Sequence, residues 1–299
     1  MPPPSTPPVL PIEAAASVLL LRDGPGGLEV FMVRRHDRSS VLGGAWVFPG
    51  GKVDLADAHP EVAPDADPQA LPFRLAEPEL PASVALALHM AALREVFEEC
   101  GVLFAHGASG ATPAAWVARV HALCDDGLRL DAAMAEAGLQ PQLLSLHPFS
   151  RWITPERSVS FQGRRFDTRF FIAALPLGQI AEHDDHEAVA SAWLSPREAL
   201  QQYWDGRMAL APPQIMSLVH LAHASAQGDL AYLMEATRER GPYCVRPHVM
   251  DMPGGGKAMA YPGDPAHDVP ERAMPGPLRL FVKGPGRFEP EGGIDGFWA

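Results

Sequence analysis

The chain has 299 residues, 47% of them hydrophobic, enough to bury a sizeable core in one large domain or two modest ones. Its formal net charge of −12 argues against a broad surface for the phosphate backbone of nucleic acid, while leaving room for a small basic pocket. No apolar run reaches the roughly 18 residues that cross a bilayer: the longest, "ASVALALHMAAL", runs straight into "REVFEE". Neither nucleic acid nor a membrane is expected as a partner.

Residues 1–11, "MPPPSTPPVLP", read as a polyproline-type disordered tail without the basic and apolar regions of a signal peptide. Residues 12–21 and 28–34 are short apolar runs separated by "RDGPGG", the pattern of two strands joined by a Gly-rich turn. "AWVFPGG" supplies another short strand ending in a turn that glycines negotiate easily. Residues 58–81 carry six prolines and few periodic apolar positions, and read as an irregular insertion. A helix starting near Pro81 or Ser83 and stopping at Gly101 follows, then two short helices within 113–139. Strand patterns return at "RWITP", "TRFFIAALP" and "ASAWLSP", with helices at "REALQQYW" and near 212–226. From Gly241 onward the chain is rich in Pro and Gly, with brief strand candidates "YCVRPHVM" and "LRLFVKG". Cys100, Cys124 and Cys244 are odd in number, widely spaced and form no C-x-x-C pair, which suggests a reducing cytoplasm and no zinc or disulfide framework.

The helix "AALREVFEECGVLF" carries the chemistry. At about 100° per residue, Glu99 falls about 40° to one side of Glu95 and Glu98 about 60° to the other, so three carboxylates share one face. Leu86, Met90, Leu93, Val96, Phe97 and Cys100 take the opposite, core-facing side. Like charges this close repel unless a cation or an arginine compensates, and hard divalent cations prefer oxygen ligands. Arg94 is placed to hold one carboxylate. A plain solvated acidic face is the competing reading of these six residues taken alone.

Together, "GGKVDLAD" and "REVFEECGV" resemble the two halves of the Nudix box, G-x5-E-x7-R-E-U-x-E-E-x-G-U with U apolar. Gly51, Arg94, Glu95, Val96, Glu98, Glu99, Gly101 and Val102 fill their positions. Asp57 stands where the pattern has Glu, and 36 residues separate it from Arg94 instead of seven, a link 29 residues longer. An interrupted box of this kind is similar to that of the Nudix subgroup that includes the mammalian peroxisomal coenzyme A diphosphatase. "VFMVRRHDRSSVLGGAWVFPGGKVD", "RWITPERS" and "RRFDTRFFIAALP" extend the likeness over roughly residues 12–210.

The resemblance implies an α/β fold, an α/β/α sandwich around a mixed sheet, with a helical insertion and a Pro/Gly-rich C-terminal extension. The expected divisions are a domain over 12–240, interrupted by the 58–81 insertion, and a β-rich extension over 241–299. It further implies Mg²⁺ or Mn²⁺ held by Glu95, Glu98 and Glu99, with Gly51 of the turn and Asp57 as further candidates. Arg94 would orient a glutamate, and Glu95 or the loop residue Glu187 would serve as general base. The Arg157, Arg164, Arg165 and Arg169 cluster is the candidate grip on a small-molecule diphosphate substrate, with pairing to surface acids as the alternative. The implied reaction is hydrolysis of coenzyme A or an acyl derivative to 3',5'-ADP and (acyl-)4'-phosphopantetheine. Hydrolysis of ADP-ribose, a dinucleotide or a nucleotide sugar shares the box, and a nucleotide-binding regulatory module is the rival of another class. The assembly is left open, with a homodimer as one candidate.

Overall fold

The computed structural model describes residues 11–39, 42–107, 112–156, 164–184 and 188–298. In chain order it runs β1 (Ile12–Gly24), β2 (Gly27–Arg35), β3 (Trp46–Val47), β4 (Gly50–Lys52), α1 (Leu71–Arg74), α2 (Ala82–Cys100) and β5 (Ala105–Gly107). Next come α3 (Pro113–Asp125), α4 (Leu130–Glu136), β6 (Leu139–Pro141), β7 (His147–Ile153), β8 (Arg165–Ala174) and β9 (Ala188–Leu194). Helices α5 (Pro196–Trp204), α6 (Pro212–Ser225) and α7 (Leu230–Arg240) precede β10 (Tyr243–Val245), β11 (His248–Asp251), β12 (Lys257–Ala260), β13 (Arg279–Gly284) and β14 (Arg287–Glu289).

Strand β1 organises the molecule because its apolar residues occur at both parities, so it is buried on both faces. Ala16, Val18 and Leu20 enter one core, and Leu19 and Leu21 the other. It pairs in parallel with β8, from Ile12 opposite Arg165 to Leu21 opposite Ala174. Along its other edge it is shared: the second half forms the expected hairpin with β2, and the first half pairs antiparallel with β4. The eight-stranded mixed sheet has the order β10-β7-β8-β1-β2-β3, with β4 added to β1 and β9 to β2.

Helices α2, α3 and α4 cover one face through Leu88, Leu93, Val96, Val120 and Met134. Helices α5, α6 and α7 cover the other through Tyr203, Ile215, Val219 and Leu233. The result is the expected α/β/α sandwich, and each large apolar side chain fully buried within it contributes about 1.5–3 kcal/mol. Helix α2 starts after Pro81, which caps it in an extended conformation, and ends at Gly101, whose φ of 67° a residue with a Cβ adopts at a cost. The 58–81 segment is more ordered than its prolines suggest: Leu71 and Leu75 are buried around the single turn of α1. After Gly241, β10 joins the central sheet beside β7, while β11 to β14 form a separate four-stranded sheet. Met259, Tyr261, Leu280 and Phe288 of that segment enter the second core. No helix of the described residues is long and apolar enough to cross a membrane.

Candidate active site

The pairing of β1 with β4 sets Ala16 opposite Gly51 and Ser17 opposite Gly50, which lays the Gly-Gly turn against α2. Ser17 Oγ pins the approach by donating to the Pro49 carbonyl at 3.0 Å. A Cβ on Gly51 would lie 2.4 Å from Glu95 Oε1, so glycine lets the carboxylate sit against the turn without shifting. The Gly50 N–H donates to Glu99 Oε2 at 2.9 Å, and Arg35 Nη1 stands 3.8 Å from Glu99 Oε1. Helical geometry turns the three glutamates outward together, yet only Glu98 is open to solvent, with 52% of its side chain exposed. Glu95 and Glu99 retain 14% and 7% because the turn folds over the helix, a long-range contact that a helical wheel does not contain.

Arg94 is the hub of the acids. Its Nε and Nη2 donate to the two oxygens of Asp57, each at 3.1 Å, and Nη1 donates to Glu95 and to Glu98, each at 2.9 Å. Nη2 also reaches the Lys52 carbonyl at 3.0 Å. Asp57 is buried, and its Oδ2 additionally accepts from the Asp54 N–H at 2.8 Å, closing the short helical turn of residues 55–58. Burial alone would loosen the Arg94 proton, but the Asp57 bonds and the charges of Glu95, Asp57 and Glu98 outweigh it and hold the guanidinium firmly charged. Glu98 is pushed the unfavourable way. Burial raises its pKa above the ordinary glutamate range, Arg94 opposes this, and the charges of Asp57 and Asp54 add to it.

Beside the Gly-Gly turn lies a cavity of about 260 Å³, lined by Gly50, Gly51, Lys52 and Arg35 and by Arg164. Of the arginines singled out in the sequence, Arg164 therefore borders the cavity, where it pairs with Glu13 at 3.1 Å. Arg165 and Arg169 do not. On β8 the cavity takes Phe166, Thr168 and Phe170, and residues of the other parity face the opposite side. There Arg165 donates to the Thr154 carbonyl, and Arg169 is bound by Glu77 at 2.7 and 3.0 Å. Arg157 and Glu187 lie outside the described residues. The loop that leads to Glu187 is tied to the end of α2, since Glu182 N–H donates to the Cys100 carbonyl and Asp184 N–H to that of Glu99. Arg35 and Lys52 were not distinguished in the sequence, although each flanks a quoted motif, in "VRRHD" and "GGKVD".

The donors gathered here, three carboxylates and a turn with main-chain carbonyls, are hard oxygen ligands of the kind Mg²⁺ and Mn²⁺ select. Ligand-type atoms within 4.8 Å of one another occur among the described residues at His248, His267 and Asp268, and these are otherwise committed. His267 Nδ1 accepts from the Val269 N–H at 3.0 Å, and Nε2 faces the Arg246 carbonyl at 2.9 Å.

Residues 67–221 match the model of the NUDT19 Nudix domain, a span that includes α2 and begins after the Gly-Gly turn. Acyl-coenzyme A diphosphatase NUDT19 of Gallus gallus is 28% identical over 264 residues, covering 72% of this chain and 69% of the relative. The Homo sapiens protein of the same name is 30% identical over 241 residues, covering 68% and 63% respectively, so the alignment spans less than two thirds of it. Among solved structures, a Nudix hydrolase from Alicyclobacillus acidocaldarius superposes with a TM-score of 0.57 at 29% identity, covering 76% of this chain and 97% of that one. With half of its length inside the family model and the interrupted box assembled around Arg94, the chain belongs to the NUDT19-type Nudix domain family of hydrolases.

Proposed function

We propose that this protein is a divalent-metal-dependent diphosphatase that cleaves coenzyme A or acyl-coenzyme A into 3',5'-ADP and (acyl-)4'-phosphopantetheine. The observation that carries the reading is the convergence of Glu95 and Glu99 on one Gly-Gly turn, with Glu98 joined to Glu95 through Arg94 Nη1. The names of the vertebrate relatives support the substrate. Water adds to one phosphorus, the P–O bond to the bridging oxygen breaks, and that oxygen leaves with the other phosphate.

Glu95, Glu98 and Glu99 would hold Mg²⁺ or Mn²⁺, with a main-chain carbonyl of the Gly50–Gly51 turn completing the set. When bound, the ion neutralises phosphate oxygens and makes coordinated water more acidic. The chain's own contributions follow from the contacts. Arg94 fixes Glu95 and Glu98 in one orientation, and Asp57 fixes Arg94 by occupying two of its donors. Asp57 thus acts in this reading by positioning and not as a ligand. The Gly50 N–H orients Glu99. Glu95, or Glu187, which follows the tethered Glu182 and Asp184 in the chain, would take the proton from the attacking water. Arg164, Lys52 and Arg35 at the cavity supply cationic donors for substrate phosphates. All three cysteines are free, which suits a reducing compartment, and we take that to be the cytoplasm.

The test is a hydrolysis panel of coenzyme A, acyl-coenzyme A, ADP-ribose, NADH and nucleotide sugars, each with Mg²⁺, Mn²⁺ or chelator. Metal-dependent release of 3',5'-ADP from coenzyme A is the expected result. Preferred turnover of another diphosphate would replace the substrate, and no metal-dependent turnover of any would leave a binding module.

A further inference from the structure

In a box whose halves lie seven residues apart, chain connectivity alone keeps the first acid near the helix. With 36 residues between Asp57 and Arg94 it does not, because a longer loop leaves its ends more freedom. The position of Asp57 then depends on contacts made sideways. The segment that follows it is stitched to residues 129–144: Arg129 Nη2 donates to the Ala56 carbonyl at 3.0 Å, and the Glu61 N–H donates to Asp131 Oδ2 at 2.8 Å. Further along, the Asp65 N–H donates to the Pro141 carbonyl at 3.1 Å.

Arg129 and Asp131 act as one unit. The Nη2 that meets the Ala56 carbonyl also donates to Asp131 Oδ2 at 3.1 Å, so the carboxylate aims the guanidinium. A buried carboxylate is costly unless donors meet it, and the Asp131 side chain, 5% exposed, is met by this guanidinium and by the Glu61 main chain. The Ala56 carbonyl shares a planar peptide with the Asp57 nitrogen, so the bond from Arg129 fixes the plane from which the Asp57 side chain springs. The unit also lies next to the box: a cavity of about 340 Å³ is bordered by Asp57, Arg94 and Glu98 together with Arg129 and Asp131.

We propose that Arg129, aimed by the buried Asp131, is a positioning residue for the interrupted box. By holding the Ala56–Asp57 peptide it sets where Asp57 meets Arg94, and through Arg94 it sets the orientation of Glu95 and Glu98. The hydrogen bonds of this relay, from Asp131 to Arg129, Arg129 to Ala56, Asp57 to Arg94 and Arg94 to the two glutamates, all fall between 2.9 and 3.1 Å. The start of α4 thus replaces the short link of an uninterrupted box. The effect on turnover rests on the diphosphatase reading, whereas the placement of Arg94 does not.

Arg129→Gln removes the guanidinium, and Arg129→Lys keeps a cationic donor. In chelator, the Nε–Hε NMR resonance of Arg94, assigned by its loss in Arg94→Lys, reports the bond to Asp57 without metal or substrate. Arg129→Gln is expected to shift this resonance and to speed its exchange with water at least about threefold, while Arg129→Lys restores it. With Mg²⁺, Arg129→Gln lowers kcat about tenfold and leaves the KM for coenzyme A within about twofold, since Arg129 does not border the cavity beside the Gly-Gly turn. Because Arg129 acts through Asp57, the kcat of the double variant with Asp57→Asn stays within about twofold of that of Asp57→Asn alone. An unmoved Arg94 resonance, an unchanged kcat in an active parent, or losses that multiply in the double variant would overturn the relay. If Arg129→Gln does not fold, Asp131→Asn carries the same readouts, since it keeps an acceptor for the Glu61 N–H and removes the charge that aims Arg129. A parent that does not hydrolyse coenzyme A sinks the diphosphatase reading alone, because the resonance still decides whether Arg129 places Arg94.

Discussion

Two clusters of arginine and carboxylate in this molecule look alike in composition and differ in balance. In the first, Arg151 and Arg169 face Glu77 and Asp167: each arginine binds both acids at 2.7–3.0 Å, two positive charges against two negative. In the second, Arg94 faces Asp57, Glu95 and Glu98, with Asp54 3.7 Å away, and Arg35 stands 3.8 Å from Glu99 on the next turn of the helix. The balanced cluster clamps the end of the 58–81 insertion onto β7 and β8, and nothing in its charge asks for a further ion. In the function proposed above, the second, with three carboxylates on one guanidinium, is completed by a cation. The difference teaches that charge balance in space, and not the density of arginines along the chain, separates scaffold from site.

The comparison breaks most easily at its acidic end. Glu99→Gln removes a charged oxygen donor while sparing the shape and the bond from Gly50. Several kcal/mol of charge stabilisation lost at the metal corresponds to a fall in kcat of at least about 10²-fold, measured with Mg²⁺, at an unchanged thermal midpoint. Near-parental turnover would remove Glu99 from the metal site. Next in size is Asp57→Asn, which frees Arg94 to swing toward the glutamates it should orient. A loss of about 10–100-fold in activity or metal affinity is expected, the scale at which groups behind a ligand act. Glu77→Gln should do the reverse. It leaves Arg151 and Arg169 in excess, costs about 3 kcal/mol in denaturant unfolding, and keeps kcat/KM within about twofold. If Glu77→Gln silenced the enzyme while leaving stability intact, the balanced cluster would be part of the site.

The same contrast explains what the sequence disclosed. Helix α2 was legible to its ends, since Pro81 and Gly101 punctuate a run whose apolar positions recur at helical spacing. The three glutamates followed from that period. Asp57 was not legible as the partner of Arg94, because a contact across 37 positions and an insertion has no local signature. The arginine cluster divides between its two readings for a different reason. Arg164, Arg165 and Arg169 are close in sequence, but a strand sends alternate residues to opposite faces, and neither spacing nor charge says which face holds the cavity. Helix α7 escaped because only Leu233 and Thr237 of its eleven residues are buried, too few for a periodic apolar stripe.

The smallest expected effect tests the imbalance itself. Because burial and the charges of Asp57 and Asp54 raise the Glu98 pKa against the pull of Arg94, the folded protein binds a proton that the unfolded chain has already released. Stability then declines as pH rises from the ordinary glutamate value through the raised one, the opposite of the usual salt-bridged carboxylate. In chelator, the thermal midpoint of the parent should fall across that interval relative to Glu98→Gln, which has no proton to lose. Added Mg²⁺ should abolish the difference, since a bound cation offsets the charges that made ionisation unfavourable. Glu77→Gln should leave the Mg²⁺ response intact, because its cluster is already neutral without an ion. A parent midpoint indifferent to both Mg²⁺ and Glu98→Gln would mean that Arg94 balances its acids alone, and the distinction between the two clusters would fall.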